Sequence, residues 1–251
     1  MDSRTGTDRN RGILFLEQNR MQKAYKYFRR LFKVRQMDFE FAFWQMLQLM
    51  VAPSKVYRNF RYHNETKHQW ARDDPAFLVL LSLYLCISSV GFTIALHLGF
   101  FGFWKFLLWV VLFDCIGVGV LVATLLWLIS NHFLLNKRHI ESSPVEWAYC
   151  FDVHLNALFP LLLILHGVQL LLFGVLDQPY FLSLFLSNSL WFVAAIYYIY
   201  ITFLGYSALP GMHRTVLILY TAVPVGIAYL LSLILQWNFA TALKHFYQMR
   251  L

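Results

Sequence analysis

The 251-residue chain is 59% hydrophobic and 18% aromatic, yet only 14% charged. A soluble domain carries about a quarter charged residues, so this balance excludes an ordinary water-soluble globule and points to lipid. The net charge of +8 is unevenly placed: residues 1–75 hold 15 Lys/Arg against 8 Asp/Glu, whereas residues 76–251 hold 6 against 5.

The first 35 residues are punctuated by charge, and Ile13-Leu14-Phe15-Leu16 is too short for the apolar core of a secretory signal. The first true span is therefore expected to serve as its own insertion signal. Within Arg20–Arg35, cations fall at Arg20, Lys23, Lys26, Arg29, Arg30 and Lys33, while Met21, Ala24, Tyr25, Phe28, Leu31 and Phe32 recur at helical spacing. That pattern predicts a basic amphipathic helix. It suits the anionic cytosolic leaflet, an ordinary packing role at the mouth of a bundle, or an acidic protein or RNA partner. RNA ranks lowest, because no RNA-recognition motif accompanies the basic residues.

Phe39–Ala52 is apolar except for Glu40, Gln45 and Gln48. Its 14 residues reach about 21 Å as a helix, short of a bilayer crossing, which predicts an interfacial or half-buried helix ending at Pro53. Residues 1–75 thus read as a basic N-terminal region with amphipathic and interfacial helices.

Five apolar spans follow, near 76–98, 106–129, 148–173, 181–204 and 215–236, leaving a short tail at 237–251. Each has the roughly 20 residues needed to cross ~30 Å of hydrocarbon. Asp74 and Pro75 supply start signals for the first. The expected fold class is an all-α membrane protein with five transmembrane helices. With the N-terminus in the cytosol, cytosolic segments hold 18 Lys/Arg and the opposite side three, Lys105, Lys244 and Arg250. The positive-inside bias then places the C-terminus in a lumen. The glycan acceptor pattern Asn64-Glu65-Thr66 stays unmodified in that arrangement, and a glycan there would invert it.

Polar residues inside spans are costly and need partners. Asp114 interrupts span two. On span three, Tyr149, Asp152, Asn156 and His166 share about a third of the helix circumference, with His154 pointing elsewhere. A hydrogen bond between Asp114 and His166 is expected, and the cluster Asp114, Asp152, Asn156 and His166 reads either as interhelical glue or as a polar path. In span two, Cys115, Gly119 and Ala123 form a small-residue seam suited to close helix approach. Cys86, Cys115 and Cys150 lie singly in apolar stretches, which argues against disulfides and zinc. No nucleophile elbow, phosphate loop or His-Glu-x-x-His motif is present, so no catalytic residue, metal or cofactor is expected.

Longer strings carry a family likeness. Arg29-Arg30-Leu31-Phe32, Arg35 to Phe41, Gln69 to Phe77, Phe151 to Ala157 and Thr202 to Pro210 resemble the Unc-fifty (uncoordinated-fifty) family of Golgi membrane proteins, in order, over roughly residues 25–250. The resemblance implies a five-span, non-enzymatic protein of the Golgi and early secretory route. It also implies roles in cell-surface transport of assembled receptors of the nicotinic acetylcholine type, and in recruiting large exchange factors for Arf GTPases. Gly205-Tyr206 with Leu209-Pro210 is also similar to a short motif of Yip-one membrane-traffic proteins. A transporter or lipid-handling protein using the polar stripe is the competing expectation.

Overall fold

The computed structural model describes residue 29 and residues 33–67, 71–72, 74–135 and 144–250, with side chains described outside 62–67 and 250. Its ordered elements are helices, and five of them are long and apolar enough to span a bilayer. Two helices precede the spans, α1 (Phe39–Val51) and α2 (Pro53–Lys67). The spans are α3 (Ala76–Ala95), α4 (Phe100–Leu134), α5 (Trp147–Leu171), α6 (Phe181–Ser207) and α7 (Thr215–Ile234). A final helix, α8 (Phe239–Arg250), closes the chain.

Four spans fall close to their expected bounds, and α4 is longer. Its helix starts at Phe100, where Gly99 offers its carbonyl to the Phe103 N–H at 3.0 Å, and it runs on past Ile129 in a π turn. Exposed Lys105 did not end it, because a lysine near a helix end can reach the interface along its own stem. At 35 residues α4 measures about 52 Å, so it tilts or protrudes.

The packing centre is α5. Twelve of the sixteen residues between Trp147 and Leu162 are buried, and α4 and α6 flank it. The expected seam lies on the α4 side of this contact, with Cys115, Gly119 and Ala123 all buried. A Cβ on Gly119 would stand 2.9 Å from Phe151 Cε2 and 3.0 Å from His154 Cδ2. Gly119→Leu should therefore force α4 off α5 and cost about 3 kcal/mol, visible as lost monodispersity after heating in detergent. Gly119→Ala should cost less, since the two rings need give only a few tenths of an ångström. On the other flank, Gly205 of α6 lets Val153 approach, and Tyr149 donates to the Gly205 carbonyl at 2.7 Å.

The short helices are not surface decorations. Ala42, Gln45, Met46 and Leu49 of α1 are buried against the bundle, while Phe41, Phe43, Leu47 and Val51 face outward, Val51 by 83%. Tyr197 donates its hydroxyl toward the Leu49 and Met50 carbonyls, at 2.8 and 3.0 Å. Tyr197 lies ten residues before the end of α6, or about 15 Å. The α1–α2 hairpin therefore reaches about 15 Å along α6 from its end and turns back, Arg61 of α2 meeting the Ala208 carbonyl. Phe39–Ala52, expected as an interfacial or half-buried helix, packs one side on the bundle and turns an aromatic side outward.

At the opposite end, residues 237–251, read from sequence as a short tail, contain α8 folded back into the bundle. The chain reverses at Gln236, whose φ of 54° is left-handed. Asn188 of α6 accepts from the Phe239 N–H, Ser187 accepts from the Ala240 N–H, and Asn238 caps the first turn. Lys244 pairs with Asp177 at 2.5 Å. Backbone groups inside hydrocarbon must find partners in the protein, and α6 supplies them for both α1 and α8.

Candidate functional site

The expected basic helix through Arg35 has stopped by Lys33, which has φ −113° and ψ 69°, followed by a 3-10 turn at Val34–Gln36. Arg29 and Lys33 are exposed; Arg20, Lys23, Lys26 and Arg30 lie outside the described residues. Further along, Asp38 caps α1 by accepting from the Phe41 N–H at 2.9 Å. Its own N–H donates to Asp74 Oδ2, while Asp74 Oδ1 accepts from the Ala76 N–H. One carboxylate thus ties the start of α1 to the start of α3, extending the capping role expected of Asp74.

The polar stripe of span three divides into two clusters. Asp152 and Asn156 belong to the half nearest the α1–α2 hairpin. Asp152 Oδ2 accepts the Arg72 backbone N–H at 2.7 Å, and the Arg72 guanidinium donates to Asn156 Oδ1. That guanidinium also lies 4.0 Å above the Phe77 ring, a cation–π contact. Tyr57 of α2 packs beside them. Burial pushes its phenol well above the ordinary range, so the group stays a neutral hydroxyl. The cluster fastens the connection between the hairpin and α3 onto the side of α5.

Asp114 and His166 belong to the other half. Both line one cavity, but the direct bond expected between them is not formed. Asp114 accepts from Tyr247 of α8 at 3.2 Å, and His166 Nδ1 meets Ser88 Oγ at 3.4 Å with the Phe92 ring edge-on. The reason is local geometry. Asp114 sits in a π-helical segment, Val110–Gly117, and His166 in another, Leu163–Val168. Each widens its helix and shifts later side chains off the 3.6-residue register used to align them. α8 then inserts Tyr247 as the partner for Asp114, which no period within the spans could have signalled.

Reasoning from sequence also passed over His154, only 1% exposed, whose Nδ1 contacts the Tyr198 hydroxyl at 2.7 Å in the same cavity. It does lie off the Asp152–Asn156 stripe, as expected; its significance comes from the α4 and α6 surfaces it meets. Among the described residues, no three His, Cys, Asp or Glu side chains gather to hold a metal ion. The arrangement places hydrogen-bonding groups from α3, α4, α5, α6 and α8 against one another between the spans.

The sequence profile of the UNC-50 family matches residues 27–248. The chain is similar to the protein unc-50 homolog of Homo sapiens, with 58% identity over 229 residues that cover 91% of this chain and 88% of the relative. It is 54% identical to the homolog of Danio rerio, covering 91% and 89%. With protein unc-50 of Caenorhabditis elegans it shares 52%, covering 91% and 75%. No solved structure matches it.

Proposed function

Because the chain belongs to the UNC-50 family, we propose that it is a non-enzymatic trafficking adaptor in membranes of the Golgi and early secretory route. It supports cell-surface transport of assembled receptors of the nicotinic acetylcholine type and recruits large Arf exchange factors. The observation that carries this reading is the concentration of positive charge in a head clamped onto a five-span bundle. Residues 1–75 have a net charge of +7, and Arg35, Lys55, Arg58 and Arg61 are exposed along the hairpin and its approach. Such a platform attracts an anionic leaflet, each well-placed cation adding about 1 kcal/mol, and leaves basic side chains for an acidic partner face. The head lies in the cytosol and α8 on the luminal side, following the cation bias.

A broad deletion through Ala52 would also excise α1, which packs within the bundle. The sharper test neutralises Lys33, Arg35, Lys55 and Arg58 to glutamine in the full chain. Proximity labelling from an N-terminal tag should then lose the exchange factors, while membrane insertion stays unchanged. Unchanged labelling would remove the head as the contact surface. Protease treatment of sealed vesicles reads sidedness independently: a shielded N-terminal tag, or a glycan on Asn64, would overturn the orientation.

A further inference from the structure

Spans α3 to α7 and helix α8 line a partly open cavity of about 580 Å³, within the size range of sites that hold small molecules. Val118, Leu161, Ile199, Val225 and Leu243 give it an apolar wall. Val118 both lines it and is 44% exposed, 18 residues into α4 from Phe100. An opening at that depth leads into lipid.

The polar atoms along this wall narrow the choice of occupant. Among the described residues no Lys or Arg lines the cavity, and Asp114 is its single carboxyl group. A phosphate-bearing headgroup would therefore lose its hydration without gaining a cation, a cost of several kcal/mol. A hydroxyl meets no such penalty. Trp191 Nε1 is shielded from solvent and makes no hydrogen bond within the described structure. Asp114, Tyr198 and Tyr247 add oxygen atoms to the same wall. A hydroxyl both donates and accepts, so it can serve the Trp191 N–H and an Asp114 acceptor together. The two π-helical segments independently mark the place, since each carries one of the cavity's ionisable groups, Asp114 or His166. Such segments recur where helices are adapted to function.

We propose that this cavity binds an uncharged membrane lipid whose polar end is a hydroxyl, of the sterol or diacylglycerol type, entering sideways from the bilayer past Val118. This goes beyond the adaptor reading and is independent of it. A lipid seated there lies between α8 and the spans, so its binding energy favours the closed packing of the C-terminal helix.

The test uses the full-length protein in nanodiscs with a photoactivatable sterol or, separately, a photoactivatable diacylglycerol. Crosslinked peptides should map to the cavity faces of α4, α7 and α8, and the matching unlabelled lipid should compete. Val118→Trp should cut labelling several-fold while the variant stays folded and monodisperse, and Trp191→Phe should weaken competition. Ala195→Leu fills the cavity from α6 and gives the same reading if Val118→Trp fails to fold. Labelling by either probe under these criteria supports the site and identifies the lipid class. Labelling spread over lipid-facing residues such as Leu121 and Leu230, or insensitive to both cavity-filling variants, overturns it. So does displacement by phosphatidylserine alone.

Discussion

Asn188→Leu is expected to lower the stability of the purified protein by about 3 kcal/mol, although leucine is far the more lipophilic residue. Asn188 is fully buried in α6 and makes three contacts: its Nδ2 donates to Ser232 Oγ and to the Trp237 carbonyl, each at 2.9 Å, and its Oδ1 accepts from the Phe239 N–H at 3.0 Å. Two of those partners are backbone groups at the turn between α7 and α8, which Asn188 joins to α6. Interhelical hydrogen bonds between side chains average only about 0.6 kcal/mol, because the separated helices find other partners. A buried backbone group that loses its partner costs more, about 1–3 kcal/mol. Apolar gain from leucine, at most about 1–2 kcal/mol, offsets part of this. The heat-aggregation midpoint in detergent should fall, and α8 should become open to protease between Trp237 and Lys244. Phe185→Leu, on an exposed face of the same helix, should leave both readouts nearly unchanged. An unshifted Asn188→Leu would mean that α8 does not depend on α6 for its inner cap.

How far the fold was legible follows from the same residues. The five spans and their rough limits came through because apolar length is written directly in the chain. Asp74 as a capping residue and the Cys115–Gly119–Ala123 seam were also readable, since each is a local spacing with one physical meaning. α8 was not. Phe239–Arg250 carries Lys244 and Arg250 and is too short to span, so composition assigns it to water. What draws it inward is a set of partners remote in sequence: Ser187 and Asn188 for its N–H groups, Asp177 for Lys244, Asp114 for Tyr247. The signal was present in unpartnered form, as polar residues inside span four that no helix in the predicted set required.

The polar site shows a second kind of limit. A helical wheel ordered Asp152 and Asn156 correctly, because no irregularity lies between them. It failed beyond Leu162, where the π turn adds its extra residue, and so His166 was matched to the wrong partner. A wheel also sees one helix at a time. His154 seemed to point away from the chemistry because the surfaces it meets belong to α4 and α6. Both short helices have their buried ends satisfied by α6, through Tyr197 for α1 and Asn188 for α8. That makes α6 the frame on which the two halves of the membrane domain are hung, even though α5 is the more buried helix.

Asp152→Ala is expected to produce the other large loss, about 2–3 kcal/mol, at the opposite end of the bundle. Asp152 is 7% exposed and accepts the Arg72 backbone N–H at 2.7 Å. Arg72 is half-buried, its guanidinium held between Asn156 and the Phe77 ring. Deleting the carboxylate removes a charged acceptor beside a cation that Asn156 and the Phe77 ring hold. The full 3–5 kcal/mol measured for broken buried pairs is reduced here because part of Arg72 still reaches solvent. The cause can be separated by adding Arg72→Met. If the effect on the cation dominates, Asp152→Ala/Arg72→Met should be more stable than Asp152→Ala alone, despite losing the Asn156 contact as well. If the lost N–H acceptor dominates, the double variant should be the worse of the two, and Asp152→Asn should restore most of the stability. Trypsin accessibility of the connection between α2 and α3 gives the structural readout, since that connection is what Asp152 holds. Were Asp152→Ala as protected and as heat-stable as the parent chain, the hairpin would have to be held by α1 packing and Tyr197 alone, and the polar half of span three would lose its assigned role as the clasp on the head.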